Sequence, residues 1–315
     1  MIMNSLVPAV TVSMATFNSQ LTVSRAISSV LEQDFRNFEL LVFDAQSIDR
    51  TPEILKKFAQ QDPRVRLYLH ERQHPWIASA QLGLQLASGE FFMFLDGDDY
   101  IATNYLSNLI EKIKVKSSVG AMGKLLHHDV DGHLLVGHPS FGREFQFASS
   151  EHRYQRLRNI ILTPDRFGSV NILYSLWRIS ELREIGLWST EKERRDDDYL
   201  FCLRALSKGR ITTDSNTWIS RSVDSYSGPR VRLREVSSHS ISEFQRSHQD
   251  QLTDWTFPYV VQIARFIRSD LRNLIVLLPT LMRICIAIVA LPKRYLQRVG
   301  SSRVLRTTEG KPMRG

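Results

Sequence analysis

Three carboxylates fall within four positions in "FMFLDGDDY", Phe92 to Tyr100. The apolar run before them reads as a strand heading for the interior, and Asp96, Asp98 and Asp99 stand at its end. Each buried charge costs several kcal/mol unless something neutralises it, so the cluster calls for a cation. A hard divalent ion, Mg²⁺ or Mn²⁺, would take carboxylate oxygens there and share its other positions with phosphate and water. A second apolar run, "FELLVFDAQSIDRT", ends at Asp44 with Ser47 and Asp49 in the turn. A third acidic group, Asp196, Asp197 and Asp198, precedes a helical pattern, where carboxylates also serve as helix caps. His127, His128, Asp129 and His133 have the composition of a metal cluster, but their spacing matches no ligand pattern, and they read as surface residues of a hairpin.

The elements that must position these groups alternate. "AVTVSMATF", Ala9 to Phe17, is β-rich and almost wholly apolar, as a buried parallel strand should be. A helix follows with Leu21, Ala26, Ile27, Val30 and Leu31 on one face and Asn18 or Ser19 placed to cap it. The strand to Asp44, the helix "PEILKKFAQQ", the strand "VRLYLH", the helix "IASAQLGLQLAS" stopped by Gly89, and the strand "EFFMFLD" complete the series. Strand alternating with helix predicts a parallel sheet, whose ligands bind beyond the carboxyl ends of the strands. Thr16 to Asn18, Asp44 to Asp49 and Asp96 to Asp99 then converge on one crevice.

From about Lys116 shorter strands and turns are expected, with "LLHHDVDGHLLV" a hairpin about Asp131 and Gly132. Helical segments follow at "LYSLWRISELREIG" and "DDYLFCLRALSKG". Trp76, Trp177 and Trp218 read as core residues, and Trp188 as an acceptor contact. The chain has 315 residues, a net charge of +8 and two cysteines. Its charge points to anionic partners, and the cysteine count excludes a disulfide framework or a zinc site. The N-terminus lacks the basic region of a signal peptide.

Four blocks in order resemble the inverting glycosyltransferases of family 2, which have the GT-A fold: "VTVSMATFN", "ELLVFDAQSIDRT", "AQLGLQLASGEFFMFLDGDD" and "RRDDDYLFCLRALSKGRI". The resemblance covers roughly the first 230 residues. It implies an α/β fold with a mostly parallel sheet flanked by helices, and a reaction that moves a sugar from a nucleotide-diphosphate sugar, a UDP-sugar above all, to a hydroxyl of a saccharide or lipid-linked acceptor. Cell-surface polysaccharide or glycoconjugate synthesis is the setting it implies. By the same resemblance Thr16, Asn18 and Asp44, with Ser47 retained beside them, would hold the nucleoside. Asp98 and Asp99 would reach the ribose, the metal and the diphosphate, with Asp96 in support. Asp198 would be the general base, with Asp197 where the family usually has Glu. The chain departs from the pattern at Gln81, which stands where the family has Asn in a nucleotide contact. Arg221 is kept, and Val223 replaces a His that would ligate metal. Arg221 or Arg230 would close over the diphosphate.

The blocks divide the chain into a nucleotide-sugar-binding half at 1–115, an acceptor-binding half of the same domain at 116–230, and an apolar, basic, helical extension at 231–315. Within the extension, "LIVLLPTLMRICIAIVAL", 274–291, is interrupted by Pro279 and Arg283 and flanked by basic residues. It reads as a helical segment lying on a cytoplasmic membrane surface, with a buried packing helix or a dimer contact as the alternative; the first reading would place the protein in the cytoplasm at the inner face of the plasma membrane. Two other functions compete: a catalytically silent nucleotide-sugar-binding protein, and a sugar nucleotidyltransferase, which would want a Gly-rich phosphate loop after the first strand where "SMATFNSQ" has none. Nucleic acid is not expected as a partner, because no recognition motif accompanies the charge.

Overall fold

The computed structural model describes residues 7–138, 140–163, 168–187, 197–223 and 256–284. Four parallel strands lie side by side: β1 (Val10–Thr16), β2 (Phe38–Asp44), β3 (Val65–Leu69) and β4 (Phe91–Asp96), in the order β3-β2-β1-β4. Helices α1 (Val23–Leu31), α2 (Thr51–Gln61) and α3 (Trp76–Leu86) form the crossovers. Helices over the sheet explain why these strands read as unbroken apolar runs. Val10, Val12 and Met14 are fully buried, as are Leu40 to Phe43 and Phe92 to Met93. Helix α3 can approach β1 because Gly83 has no side chain; a Cβ there would stand 2.1 Å from Ser13 Oγ.

Register decides what reaches the rim. Thr16 pairs with Asp44 and Ala15 with Asp96, so three neighbouring strands deliver Thr16, Asp44 and Asp96 to the same edge.

The sheet continues through β5 (Tyr100–Ile101), β6 (Ser118–His128), β7 (Leu176–Arg178) and β8 (Arg210–Ser222), giving eight strands in the order β3-β2-β1-β4-β7-β6-β8-β5. Helices α4 (Tyr105–Ile113), α5 (Arg153–Leu162), α6 (Ile179–Ile185) and α7 (Asp197–Lys208) cover this half. β7 runs antiparallel between β4 and β6, whereas β6 and β8 are parallel to each other. Of the short strands expected after Lys116, only β7, three residues long, is short; β6 has 11 residues and β8 has 13. Their polar residues disguise them: Lys124, His127 and His128 interrupt the apolar pattern of β6, and Thr212, Asp214 and Ser220 that of β8. The turn about Asp131 and Gly132 is present, with Gly132 N donating to Asp129 O at 3.0 Å, but the return is a single bridge between His128 and Leu134. The helix expected from Leu173 is split. Ser169–Tyr174 is a 3₁₀ turn, Leu176–Arg178 is β7, and only Ile179–Ile185 is α-helical.

The start of α1 also differs from expectation. Neither Asn18 nor Ser19 caps it; it begins at Val23, and Leu21 is exposed. Asn18 adopts φ 50° and points its side chain at the next loop instead. Beyond β8, helix α8 (Thr256–Ser269) and a 3₁₀ turn (Leu271–Val276) pack against α7 and α5. Of the apolar segment 274–291, residues 274–284 lie within the described chain.

Candidate active site

The loops after β1 and β2 are tied to each other. Asp44, 2% exposed, accepts from the Thr16 hydroxyl at 3.1 Å and the Ser47 hydroxyl at 2.6 Å on Oδ1, and from the Ser47 N–H at 2.9 Å on Oδ2. A carboxylate has about four acceptor positions, so Oδ2 keeps one for a further donor. Ser47 Oγ in turn accepts from Asn18 N at 2.8 Å, and Asn18 Oδ1 from Ile48 N at 3.0 Å. Asp49 accepts from Gln20 N and Thr51 N, which fixes the entry to α2. Thr16, Asn18, Asp44 and Ser47 are thus one hydrogen-bonded unit. Gln81 lies half-buried on α3.

The next strand end carries the acidic cluster. Asp96, Asp98 and Asp99 each offer a carboxylate oxygen within 4.8 Å of the others. Their turn depends on Gly97, where a Cβ would stand 2.7 Å from Thr16 Cγ2. The second half of the sheet supplies the groups that hold them. Arg221 Nη1, near the end of β8, lies 2.8 Å from Asp99 Oδ2 and 3.2 Å from Asp96 Oδ2. Ser222 N donates to Asp99 Oδ1 at 2.9 Å. Tyr174 donates its hydroxyl to Asp96 Oδ2 at 2.9 Å while its ring lies 3.5 Å from the Arg221 guanidinium carbon. Trp76, the first residue of α3, donates Nε1 to Asp96 Oδ1 at 2.7 Å. So Asp96 is held by a tryptophan, a tyrosine and an arginine, and Asp99 by an arginine and a backbone N–H.

Electrostatics divide the trio. Burial and the neighbouring Asp96 push the Asp98 carboxyl up to about 6, and burial raises Asp99 even against the opposing pull of Arg221. Burial works against the Arg221 charge, yet Asp99, Tyr174, Asp96 and Asp98 outweigh it and hold the guanidinium protonated above its ordinary range. The cation demanded by the sequence is therefore partly supplied by the protein. It is not sufficient. Asp99 Oδ2 is buried with the Arg221 ion pair as its one partner among the described residues, and Asp98 stays reluctant to ionise even with Arg221 in place. Three clustered carboxylates that share one arginine, with Asp98 and Asp99 both kept reluctant to ionise by burial, are a set of hard oxygens that fits Mg²⁺ or Mn²⁺.

His127 and His128 are not surface residues: 6% and 0% exposed, they are carried inward by β6. His128 Nε2 lies 3.0 Å from the Asp98 carbonyl oxygen, which can only accept, so this nitrogen carries the proton; Nδ1 then accepts from the Ser220 hydroxyl at 2.8 Å. Burial and the nearby Arg25 push its pKa down to about 4, so the ring is neutral. His127, against Ser140 at 2.7 Å, is pushed down to about 3 by burial and His138. Asp129 and His133 do sit on an outer turn, paired at 3.2 Å.

Asp198 is half-buried in the first turn of α7, close enough for its charge to help raise the Tyr174 hydroxyl, after burial and the cluster carboxylates. Asp197 begins that helix. Asp196, Trp188 and Arg230 lie outside the described residues. Val223 follows β8 and offers no ligand atom. Trp177 is core, as expected, while Trp218 is half-buried against Tyr100 and Trp76 belongs to the cluster. Tyr174, Trp76 and His128 escaped sequence reasoning because each lies far along the chain from the carboxylates it touches. The His pair at the end of an apolar run was the one available signal, since strand alternation must turn one of them inward.

A sequence profile described as "Glycosyl transferase family 2" matches residues 11–173. The chain is 36% identical over 107 residues, 33% of its length and 34% of the relative's, to GalNAc(5)-diNAcBac-PP-undecaprenol beta-1,3-glucosyltransferase of Campylobacter jejuni. It is 35% identical over 113 residues, 36% of its length and 44% of the relative's, to UDP-Glc:alpha-D-GlcNAc-diphosphoundecaprenol beta-1,3-glucosyltransferase WfgD of Escherichia coli. The matches thus span between a third and a half of these relatives. Among solved structures, S. aureus TarS 1-349 in complex with UDP-GlcNAc shares the fold, with a TM-score of 0.55 at 22% identity over 81% of this chain and 66% of that one.

Proposed function

This chain belongs to glycosyltransferase family 2, and on that premise we propose that it transfers a sugar from a UDP-sugar to a hydroxyl of a lipid-linked saccharide, with inversion, in cell-surface polysaccharide assembly. The observation that carries the proposal is the rim shared by two constellations, the Thr16–Asp44–Ser47 unit and the Asp96–Asp98–Asp99 cluster, on adjacent strand ends. The donor assignment draws support from a relative named for UDP-Glc and a fold neighbour bound to UDP-GlcNAc, and the acceptor assignment from relatives named for undecaprenol diphosphates.

In this reading the nucleoside lies against Thr16, Asn18, Asp44, Ser47 and Gln81, with the free position on Asp44 Oδ2 taking the base N–H. Asp96 and Asp98 face the ribose and diphosphate. Asp98 and Asp99 hold Mg²⁺ or Mn²⁺, which when bound acts as a Lewis acid towards the charge growing on the diphosphate. Arg221 fixes Asp96 and Asp99 and contributes a permanent positive charge beneath the leaving group. Asp198 takes the proton of the acceptor hydroxyl as its oxygen bonds to the anomeric carbon, while the bond from that carbon to the diphosphate breaks and its electron pair leaves with UDP. Asp197 supports it from the preceding position. A positioned base contributes about 10² to 10⁴ in rate. Residues 1–115 form the donor half and 116–230 the acceptor half, with 231–315 outside both.

The test is calorimetry of UDP with Mn²⁺, with chelator, and with the Asp99→Ala variant, beside a transfer assay using UDP-glucose and UDP-GlcNAc on a polyprenyl-diphosphate-linked sugar. Manganese-dependent binding lost in Asp99→Ala, with UDP released only when acceptor is present, is the expected result. Binding without any turnover on such acceptors would favour the silent-binder reading. Equal UDP affinity in chelator would remove the metal assignment.

A further inference from the structure

The segment after α8 is amphipathic with its faces reversed. Asn273, Val276, Pro279 and Thr280 are buried against the protein. The inward polar groups are tied down: Asn273 donates to Phe266 O at 2.7 Å and accepts from Arg153, Thr280 donates to Val276 O at 2.7 Å, and Arg283 donates to Ile161 O at 2.7 Å. The residues between them face outward and are all apolar. Leu274, Ile275, Leu277, Leu278, Leu281 and Met282 keep 41 to 61% of their surface exposed. Fully burying such a side chain is worth about 1.5–3 kcal/mol, so six in one row forgo a large stabilisation unless an apolar phase covers them.

The net positive charge of the chain comes from the same region. Residues 256–315 contain eleven Lys or Arg against two Asp or Glu, whereas residues 1–255 contain thirty against thirty-one. The positive surplus therefore lies in the same part of the sequence as the apolar row, and Arg265, Arg268, Arg272 and Arg283 are its members among the described residues. A second copy of the chain would bring the same surplus and oppose its own docking, while an anionic bilayer answers both the apolar row and the charge. Among the described residues no helix is long and apolar enough to cross a membrane.

We infer that the face formed by Leu274, Leu277, Leu278 and Leu281 docks on an anionic lipid surface, lying in its interface, with Arg265 and Arg268 of the preceding helix meeting the headgroups, while Arg272 is paired with Asp270 at 2.6 Å. This goes beyond the transfer reaction and is independent of it, because lipid binding needs neither donor nor acceptor. The experiment is co-sedimentation of the full chain, without nucleotide, on phosphatidylcholine vesicles with and without phosphatidylglycerol. Binding to the anionic vesicles is expected to be at least about tenfold tighter than to neutral ones. The double substitution Leu278→Asp, Leu281→Asp should weaken it by at least about tenfold again. Leu278→Ser with Leu281→Ser, checked by circular dichroism, reads the same face if the Asp pair disturbs folding. The inference is overturned if the chain ignores anionic vesicles, if the substitutions leave binding intact, or if light scattering in the absence of lipid shows a dimer that the substitutions dissolve.

Discussion

Arg221 Nη1 stands 2.8 Å from Asp99 Oδ2, an ion pair with Asp99 1% exposed that joins the last residues of β8 to the turn after β4. Removing one partner of a buried pair strands the other, typically at a cost of about 3–5 kcal/mol. Arg221→Met should therefore lower unfolding stability by about 3 kcal/mol in chelator. Saturating Mg²⁺ should restore part of that loss, since a divalent ion at Asp98 and Asp99 replaces the missing positive charge. Urea unfolding with and without Mg²⁺ checks both arms; equal stability of variant and parent in chelator would contradict the pairing.

Tyr174→Phe keeps the ring beneath Arg221 but deletes the 2.9 Å hydrogen bond to Asp96. A hydrogen bond to a charged group contributes about 1.5–3 kcal/mol, so stability should fall by about 1.5 kcal/mol. Asp96 then loses one of three anchors, and the transfer rate should drop several-fold. Thermal unfolding and initial rates measure the two effects. An unchanged melting temperature would mean that the tyrosine hydroxyl does not hold Asp96.

Asp198→Asn should preserve the fold and donor affinity and lower transfer by about 10² or more, because the amide is isosteric but cannot take a proton. Asp197→Asn is the comparison: Asn caps a helix nearly as well as Asp, so it should cost much less. Transfer rates and UDP dissociation constants are measured for both. A dead Asp197→Asn beside an active Asp198→Asn would shift the base by one residue.

His128 predicts an acid sensitivity. Its folded pKa of about 4 lies below the ordinary 6.5, so between those values the unfolded chain binds more protons and stability falls as the pH falls. The contribution, at most about 3 kcal/mol, is present above pH 6.5 and lost as pH approaches 4. His128→Gln should be less stable than the parent at pH 7.5 and lose less on acidification to pH 4.5. Urea midpoints across that range give the comparison; parallel curves would show that His128 does not titrate as a buried neutral ring.

By itself the sequence determined the parallel half of the molecule and the carboxylates along its rim. Runs such as "VTVSMAT" and "FELLVFD" are apolar throughout because both faces of a parallel strand are covered, and the residue that ends each run must emerge at the same edge. Thr16, Asp44 and Asp96 were legible for that reason. A local pattern also sufficed for α7, whose apolar face recurs at helical spacing. What only the tertiary structure decided is what surrounds those carboxylates. Arg221, Tyr174, Trp76 and His128 come from β8, a 3₁₀ turn, α3 and β6, and strand pairing between distant segments, not spacing along the chain, brings them within hydrogen-bonding reach. The polar residues of β6 and β8 hid two long strands for the same cause: Lys124, Thr212 and Asp214 are tolerated where neighbouring chain satisfies them, and no single segment reveals its neighbour. The reversed face of 274–282 follows this logic too, since a stretch apolar on most sides acquires an inside and an outside only when Asn273 and Arg283 find partners on the folded domain.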